Sequence, residues 1–278
     1  MVEALSAELR DELAANDVRR LVDPRTKPVR FRHLVAMGRS PLHCLAAFQE
    51  PDDRGSLSMR LGAGAHAMLL DKPVVVYPGK VRRGKEYDAF VAAHPRAVIL
   101  NAREHAKATA ISRAVRSHAE AAALLLAPDV TRERELHWSW MGRRCVSTPD
   151  AFGRGAVVEL KTTRCAQPDR FVRDGTFRAY HAQLSWYSEA LRSLDVPLHS
   201  AYVVAVESEA PHAVTVLKLT GRALEAGARL VRAWWERLRV CEDCGEWPQY
   251  TSCVADFDVP DDDLELTFAD DEDEGDEP

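Results

Sequence analysis

The chain has 278 residues, 46% of them apolar, with 37 Lys and Arg against 43 Asp and Glu. That is enough apolar material for one large domain with extensions, and no run approaches the length of a membrane-spanning helix, so a membrane role is not expected. The net charge of −6 hides an asymmetry: residues 254–278 hold 13 acids and no Lys or Arg, which leaves 37 basic and 30 acidic residues in 1–253, a net of +7 suited to a polyanionic partner.

In chain order, Leu5, Leu9, Leu13, Val18 and Leu21 recur at roughly helical spacing. They predict a helical extension over 1–30, closed by a Pro-containing linker from 23. This N-terminus lacks the basic-then-apolar pattern of a secretory signal, so a cytoplasmic location is expected. Helices are predicted over 31–49, 57–71, 86–94 and 103–126, with a short strand at Val74-Val75-Val76-Tyr77 after the second. Leu136, Trp138 and Trp140 alternate in a strand over 135–141, and a hairpin follows over about 143–163. A helix over 180–193, strands over 201–207 and 213–218, and a long helix over 222–240 complete the body, 31–253. The fold class is mixed α/β, with a central mixed sheet of about five strands flanked by helices. Residues 254–278 are too acidic and too poor in apolar groups to pack, and a disordered tail is expected there. It reads as a solubilising segment, or as a nucleic-acid mimic that covers a basic site.

The chemistry concentrates in the hairpin. Thr148-Pro149-Asp150 is followed by the glycine-rich turn Phe152-Gly153-Arg154-Gly155, the apolar run Ala156-Val157-Val158, and Glu159-Leu160-Lys161. Residues i and i+2 of a strand share a face, so Glu159 and Lys161 point the same way, and Asp150 on the partner strand can face the same side. Two acids can hold a divalent metal, and a lysine can orient or deprotonate a water, as phosphodiester hydrolysis needs. His66 lies in the small-residue stretch Leu61-Gly62-Ala63-Gly64-Ala65-His66 of a helix that can approach other backbone closely. A lone helical histidine is more often a structural residue, but a neutral imidazole could complete a mixed metal shell and would favour Mn²⁺ slightly. Gln183 and Tyr187 sit at i and i+4 on one helix face, where they could hydrogen-bond a phosphate or the lysine. Lys80, Arg82, Arg83 and Lys85 form one basic cluster, which could hold phosphates or be a solvated loop, and Arg132, Arg134, Arg143, Arg144 and Arg164 flank the hairpin, where some are expected to meet phosphate. Glu135 is either an outer metal ligand or an exposed strand carboxylate.

The order Gly62-x-x-x-His66, Pro149-Asp150, Glu159-Leu160-Lys161, Gln183-x-x-x-Tyr187 resembles the PD-(D/E)xK nuclease superfamily, in particular its RecB-like and RecE-like branch. Ser40-Pro41-Leu42-His43, Arg83-Gly84-Lys85-Glu86-Tyr87 and Gly245-Glu246-Trp247-Pro248 are similar to phage and prophage exonucleases of the RecE (exodeoxyribonuclease VIII) type, over roughly residues 30–250. The ordered set is more specific than any single motif. The resemblance implies a restriction-endonuclease-like core and a Mg²⁺-dependent deoxyribonuclease that degrades one strand from double-stranded DNA ends, 5′ to 3′. It implies a RecT-type single-strand annealing partner for recombination, and a homo-oligomer would account for processivity. Carried over by motif, Asp150 and Glu159 bind metal, Lys161 is catalytic, His66 and the Leu160 carbonyl add metal ligands, and Gln183 with Tyr187 support the site. Ser147-Thr148 departs from the Gly-Arg pair that many relatives have before Pro-Asp, which puts a local substrate contact in doubt.

Six cysteines in a chain this long suggest free thiols or metal ligands rather than a disulfide framework. Cys44, Cys241, Cys244 and Cys253 resemble the iron–sulfur staple of some RecB-like nucleases, which implies a [4Fe–4S] cluster and action on single-stranded ends as an alternative. Cys44 also reads as a small core residue, and Cys145 and Cys165 as structural. A further alternative is a non-catalytic DNA-end-binding recombination accessory protein.

Overall fold

Short β-branched runs and amphipathic stretches alternate along the body, and the protein buries them as helical layers on both faces of one sheet. The computed structural model describes residues 22–49, 57–251 and 253–256. The predicted helix over 1–22 and the tail beyond 256 therefore lie outside the described residues, apart from Val22. Helices α1 (Phe31–Arg39), α2 (Pro41–Gln49) and α3 (Leu57–Leu69) come first, and strand β1 (Val74–Val76) follows. Next are α4 (Lys85–Ala93), β2 (Val98–Leu100), α5 (Ala102–Ser117) and α6 (Ala119–Leu126). Five strands, β3 (Thr131–Arg132), β4 (Leu136–Trp140), β5 (Arg143–Ser147), β6 (Ala151–Gly153) and β7 (Ala156–Thr163), run in succession. The chain ends in α7 (Pro168–Phe177), α8 (Tyr180–Ser193), β8 (Ser200–Glu207), β9 (Val214–Lys218) and α9 (Gly221–Cys244).

The central sheet has the order β3-β6-β7-β8-β9, with β7 and β8 parallel and the other pairs antiparallel. Residues of β7 and β8 alternate between two cores. Val157, Ala201, Val203 and Ala205 pack with α1, α2, α8 and α9, while Val158, Leu160, Val204 and Val206 pack with α3, α5 and α6. Both faces of these two strands are covered, which explains their nearly unbroken apolar runs.

Two predicted helices are each a pair. Ser40 is extended (φ −165°, ψ 160°) before Pro41, whose ring disfavours helical backbone at the preceding residue, so 31–49 divides there. His118 leaves the helical region (φ −89°, ψ 108°) and its ring accepts the Ala121 N–H at 3.3 Å, so 103–126 divides into α5 and α6. The expected hairpin over 143–163 is also different. β5 turns back through Met141-Gly142, both at positive φ, to pair with β4 in a separate two-stranded sheet. Positive φ at both loop positions matches the twist of a tight hairpin. The partner of β7 is the short β6, across Arg154-Gly155, both also at positive φ. The small sheet packs through aromatic rings: Trp138 is 4.5 Å from Trp186 of α8, and Trp140 is 4.7 Å from Trp235 of α9, centroid to centroid.

Arg143 ties the segment before α1 to the body. Its guanidinium pairs with the fully buried Glu242 carboxylate at 2.7 Å and donates to the carbonyls of Pro24, Arg25 and Lys27. It is buried there and not available to phosphate. Among the described residues, no helix is long and apolar enough to cross a membrane.

Candidate metal centre and nuclease site

Register assembles the site. Ala151 lies across from Val158, so one step further along the same ladder sets Asp150 across from Glu159. Just beyond the β6 ladder, Asp150 Oδ2 accepts the Leu160 N–H at 2.7 Å, which fixes the carboxylate against β7. Its Oδ1 lies 3.3 Å from His66 Nδ1. α3 can bring His66 this close because the residues in the turn before it are small. A Cβ on Gly62 would stand 3.0 Å from Thr162 Oγ1 of β7, and one on Gly64 would stand 2.8 Å from Leu100 of β2.

On β7, Lys161 Nζ donates to Glu159 Oε1 at 2.7 Å and sits 4.8 Å from the centroid of the Tyr180 ring. Gln183 Nε2 on α8 donates to the same Oε1 at 2.8 Å and lies 3.0 Å from the Tyr187 hydroxyl. Glu159 Oε2 is buried and has no hydrogen-bond partner. A buried orphan oxygen costs about 1–3 kcal/mol, and such atoms are rare in native proteins. On a strand beside Asp150, it is a free acceptor that a cation could use.

Glu133 is a carboxylate that sequence reasoning passed over. His66, Asp150 and Glu133 each offer a ligand atom within 4.8 Å of the others, the single such group of three among the described residues. Glu133 stands immediately after β3 in the left-handed region (φ 48°), with its N–H bonded to the Asp150 carbonyl at 3.0 Å. Left-handed backbone is uncommon for a residue other than glycine, and such strain collects at functional sites. Lys72 pairs with the Glu133 carboxylate at 2.6 Å. Glu135, the acid singled out from the sequence, is exposed and pairs with Arg30 and His137, away from this group.

The charges hold one another. Burial raises the Glu159 carboxyl, and repulsion from Asp150 adds to this, against Lys161 and His66; the balance lifts it to about 7. Burial also opposes ionisation of Asp150, but His66, Lys161 and the Leu160 N–H outweigh it and hold the carboxyl below its ordinary value. Burial opposes charge on Lys161 and His66 too, yet the two carboxylates raise both above their ordinary values. Both directions favour the charged forms, and the Lys161 ammonium donates its hydrogen bond to Glu159 Oε1.

The donor set of the group, two carboxylates from Asp150 and Glu133 and one nitrogen from His66, fits a hard divalent cation; Glu159 is not one of these three, and its free oxygen is a further carboxylate donor on β7. The other sequence candidates are dispersed. Arg82 is paired with Glu104, Arg132 with Asp71, and Arg144 with the Thr26 carbonyl. Arg164 lines a cleft beside Lys161. Cys44 of α2 and Cys241 at the end of α9 are buried, and Cys244 Sγ lies 3.9 Å from the Cys241 carbonyl, but these three thiols do not form a ligand group of the kind that His66, Glu133 and Asp150 form. Burial raises the Cys44 thiol strongly, and Cys253 bonds Thr251. Cys145 is buried in β5 and Cys165 is half-buried in the cleft wall.

Such a sheet, with an acid beside the short β6 and an acid and a lysine two residues apart on β7, defines the PD-(D/E)xK class. The PDDEXK-like domain of unknown function (DUF3799) matches residues 33–256, and the chain belongs to that family. Among solved structures, a putative exonuclease from Eubacterium rectale is similar, with a TM-score of 0.59 and 14% identity over 96% of this chain and 99% of that one. An alkaline exonuclease from Laribacter hongkongensis also matches, at 15% identity over 66% of this chain and 92% of that one, with a TM-score of 0.31. At these identities the likeness is one of fold. No curated protein sequence matches the chain.

Proposed function

We propose that this protein is a divalent-cation-dependent deoxyribonuclease that hydrolyses phosphodiester bonds from the ends of double-stranded DNA. The observation that carries the reading is the meeting of Asp150, His66 and Glu133 within 4.8 Å, with the buried, unpartnered Glu159 Oε2 on the neighbouring strand and the Lys161 ammonium 2.7 Å from Glu159 Oε1. Asp150, Glu133, Glu159 and His66 would hold the cation, with the Leu160 carbonyl as a further ligand; Mg²⁺ fits the oxygen-rich set and Mn²⁺ its single nitrogen. A bound cation supplies positive charge against the phosphate oxygens.

The chain's own groups do the remaining work. Gln183 fixes Glu159 Oε1, and Tyr187 accepts from the Gln183 amide, which leaves Oε2 as the free oxygen of that carboxylate. Lys161 is steadied between Glu159 and the face of Tyr180, where its ammonium can orient the attacking water and offset charge that develops on the phosphate. The basic body, +7 without the tail, favours a polyanion. By resemblance to RecE-type enzymes, degradation runs 5′ to 3′, a RecT-type annealing protein takes the exposed strand, and an oligomer provides processivity. Incubation with end-labelled linear and closed circular duplex tests this with Mg²⁺ and with EDTA. Release of label from linear DNA alone, abolished by EDTA, is expected; cutting of the circle would indicate an endonuclease, and no cutting of either would sink the reading.

A second reading adds an iron–sulfur cluster at Cys44, Cys241, Cys244 and Cys253. It is favoured by the Leu42 N–H bond to the Pro248 carbonyl, which ties the segment after α9 to α2, the helix that carries Cys44. Stoichiometric iron and acid-labile sulfide in anaerobically purified protein would support it, and their absence would remove it.

A further inference from the structure

A cleft of about 1110 Å³ opens beside Lys161, between α5 and α7, and continues the site in one direction. The end of β7 (Thr162, Thr163, Arg164) and Tyr180, whose ring lies under the Lys161 ammonium, form its inner wall. Its outer wall is α7, where Arg170, Arg173 and Phe177 share one helical face by their i, i+3, i+7 spacing, while Phe171 and Gly175 turn into the protein. Arg178 completes this wall.

Two properties of the wall go together. Arg164, Arg170, Arg173 and Arg178 are exposed and have no carboxylate partner among the described residues; of the lining acids, Glu104 and Glu209 are paired with Arg82 and Lys107, which leaves Asp174 as the one lining carboxylate without an ion pair among the described residues, against four guanidinium groups. Phe177, at the end of the same face, is 93% exposed. A single exposed aromatic is unremarkable by itself. An exposed phenyl ring set among unpaired guanidinium groups, in a cleft that leads to a phosphodiester-cleaving centre, has the composition of a single-strand nucleic-acid platform. Bases inside a duplex have both faces covered by their neighbours, so beyond the terminal pair of an end a ring can stack only on a base that has left the stack.

We propose that this cleft binds a single strand of nucleic acid leading to the metal centre, with Phe177 stacked on one base and Arg170 and Arg173 on flanking phosphates. The inference rests on the nuclease reading and deepens it: the cut strand is held apart from its complement before it reaches Lys161. Base stacking on one aromatic side chain contributes about 1–3 kcal/mol, roughly 5- to 150-fold in affinity.

The test uses the full chain in EDTA with a single-stranded oligonucleotide carrying 2-aminopurine. Wild type is expected to quench the fluorophore on binding. Phe177→Ala should weaken binding by the factor above and abolish the quench, and Phe177→Trp should restore both. Arg170→Gln with Arg173→Gln should make the salt dependence shallower by about 0.7 in log–log slope for each phosphate that is no longer neutralised. Phe177 is on the surface, so circular dichroism of Phe177→Ala should match wild type. Unchanged affinity and quench in Phe177→Ala would overturn the inference, even where wild type digests linear DNA with Mg²⁺. A Phe177-dependent quench in a protein that cuts no DNA with any cation would uphold the cleft and remove the nuclease reading instead.

Discussion

Glu133→Gln isolates the carboxylate that completes the cation group. The substitution keeps shape, exchanges one acceptor oxygen for an amide donor, and removes one negative charge within 4.8 Å of the His66 and Asp150 ligand atoms. At an effective dielectric constant of about 20, a unit charge 4 Å from another is worth about 4 kcal/mol, and twice that against a divalent ion. Lys72, 2.6 Å from Glu133, offsets part of this, and so does the cost of stripping water from the carboxylate. A net loss of about 1.5–3 kcal/mol remains, the range for a hydrogen bond to a charged group, or roughly 10- to 150-fold in cation affinity. Titration with Mn²⁺, with free ion read by electron paramagnetic resonance, measures it directly. Glu135→Gln is the matched control, because Glu135 faces Arg30 and His137 instead. Affinity for Glu133→Gln within threefold of wild type, or a larger loss for Glu135→Gln, would refute the placement of Glu133 in the cation shell.

Three further outcomes follow from the geometry. Gln183→Ala removes the amide that fixes Glu159 Oε1, and nuclease kcat should fall about 10-fold or more at saturating Mg²⁺, while Tyr187→Phe, which loses one neutral hydrogen bond, should cost about fivefold; equal effects of the two would contradict the ordering. Glu242→Ala leaves the Arg143 guanidinium buried without its carboxylate, and urea unfolding should show a loss of about 3–5 kcal/mol; a loss below about 1 kcal/mol would show that the pair does not hold the 24–27 segment. His33 is buried against Phe48, and burial with the nearby arginines lowers its imidazole to about 3. The unfolded chain then binds the extra proton between pH 6.5 and about 3, so stability should fall as pH drops through that window, by up to about 1.4 kcal/mol per pH unit from this group. In His33→Phe that acid sensitivity should diminish; an identical pH profile of melting temperature would contradict it.

The parts of the site legible in the sequence are those that a local pattern encodes. Strand periodicity puts Glu159 and Lys161 on one face of β7, and helical periodicity puts Gln183 and Tyr187 on one face of α8; in the structure these two faces meet. The small residues at Gly62 and Gly64 do let α3 approach, and His66 lies beside Asp150. Glu133 escaped because its signal is conformational: a left-handed residue after a two-residue strand leaves no periodicity to read. The true partner of β5 was visible in part, since Met141-Gly142 sits where a two-residue hairpin loop needs positive φ. α7 carries its own start signal in Pro168, the first helical residue after the Gln167 cap, but sits in a stretch with few apolar residues. Arg143 looked like a phosphate contact because its buried partner, Glu242, is 99 residues away in sequence. Charges sort into binding and structural roles by tertiary contact, which no local pattern carries.

The most direct test of the central claim compares wild type with Lys161→Ala on end-labelled linear duplex in Mg²⁺, with DNA binding measured in parallel in EDTA. Loss of one preorganised donor of charge costs about 2.7–4 kcal/mol in the transition state, so cleavage should fall roughly 10²- to 10³-fold while binding is retained. Cleavage by Lys161→Ala at the wild-type rate would contradict the assignment of this centre.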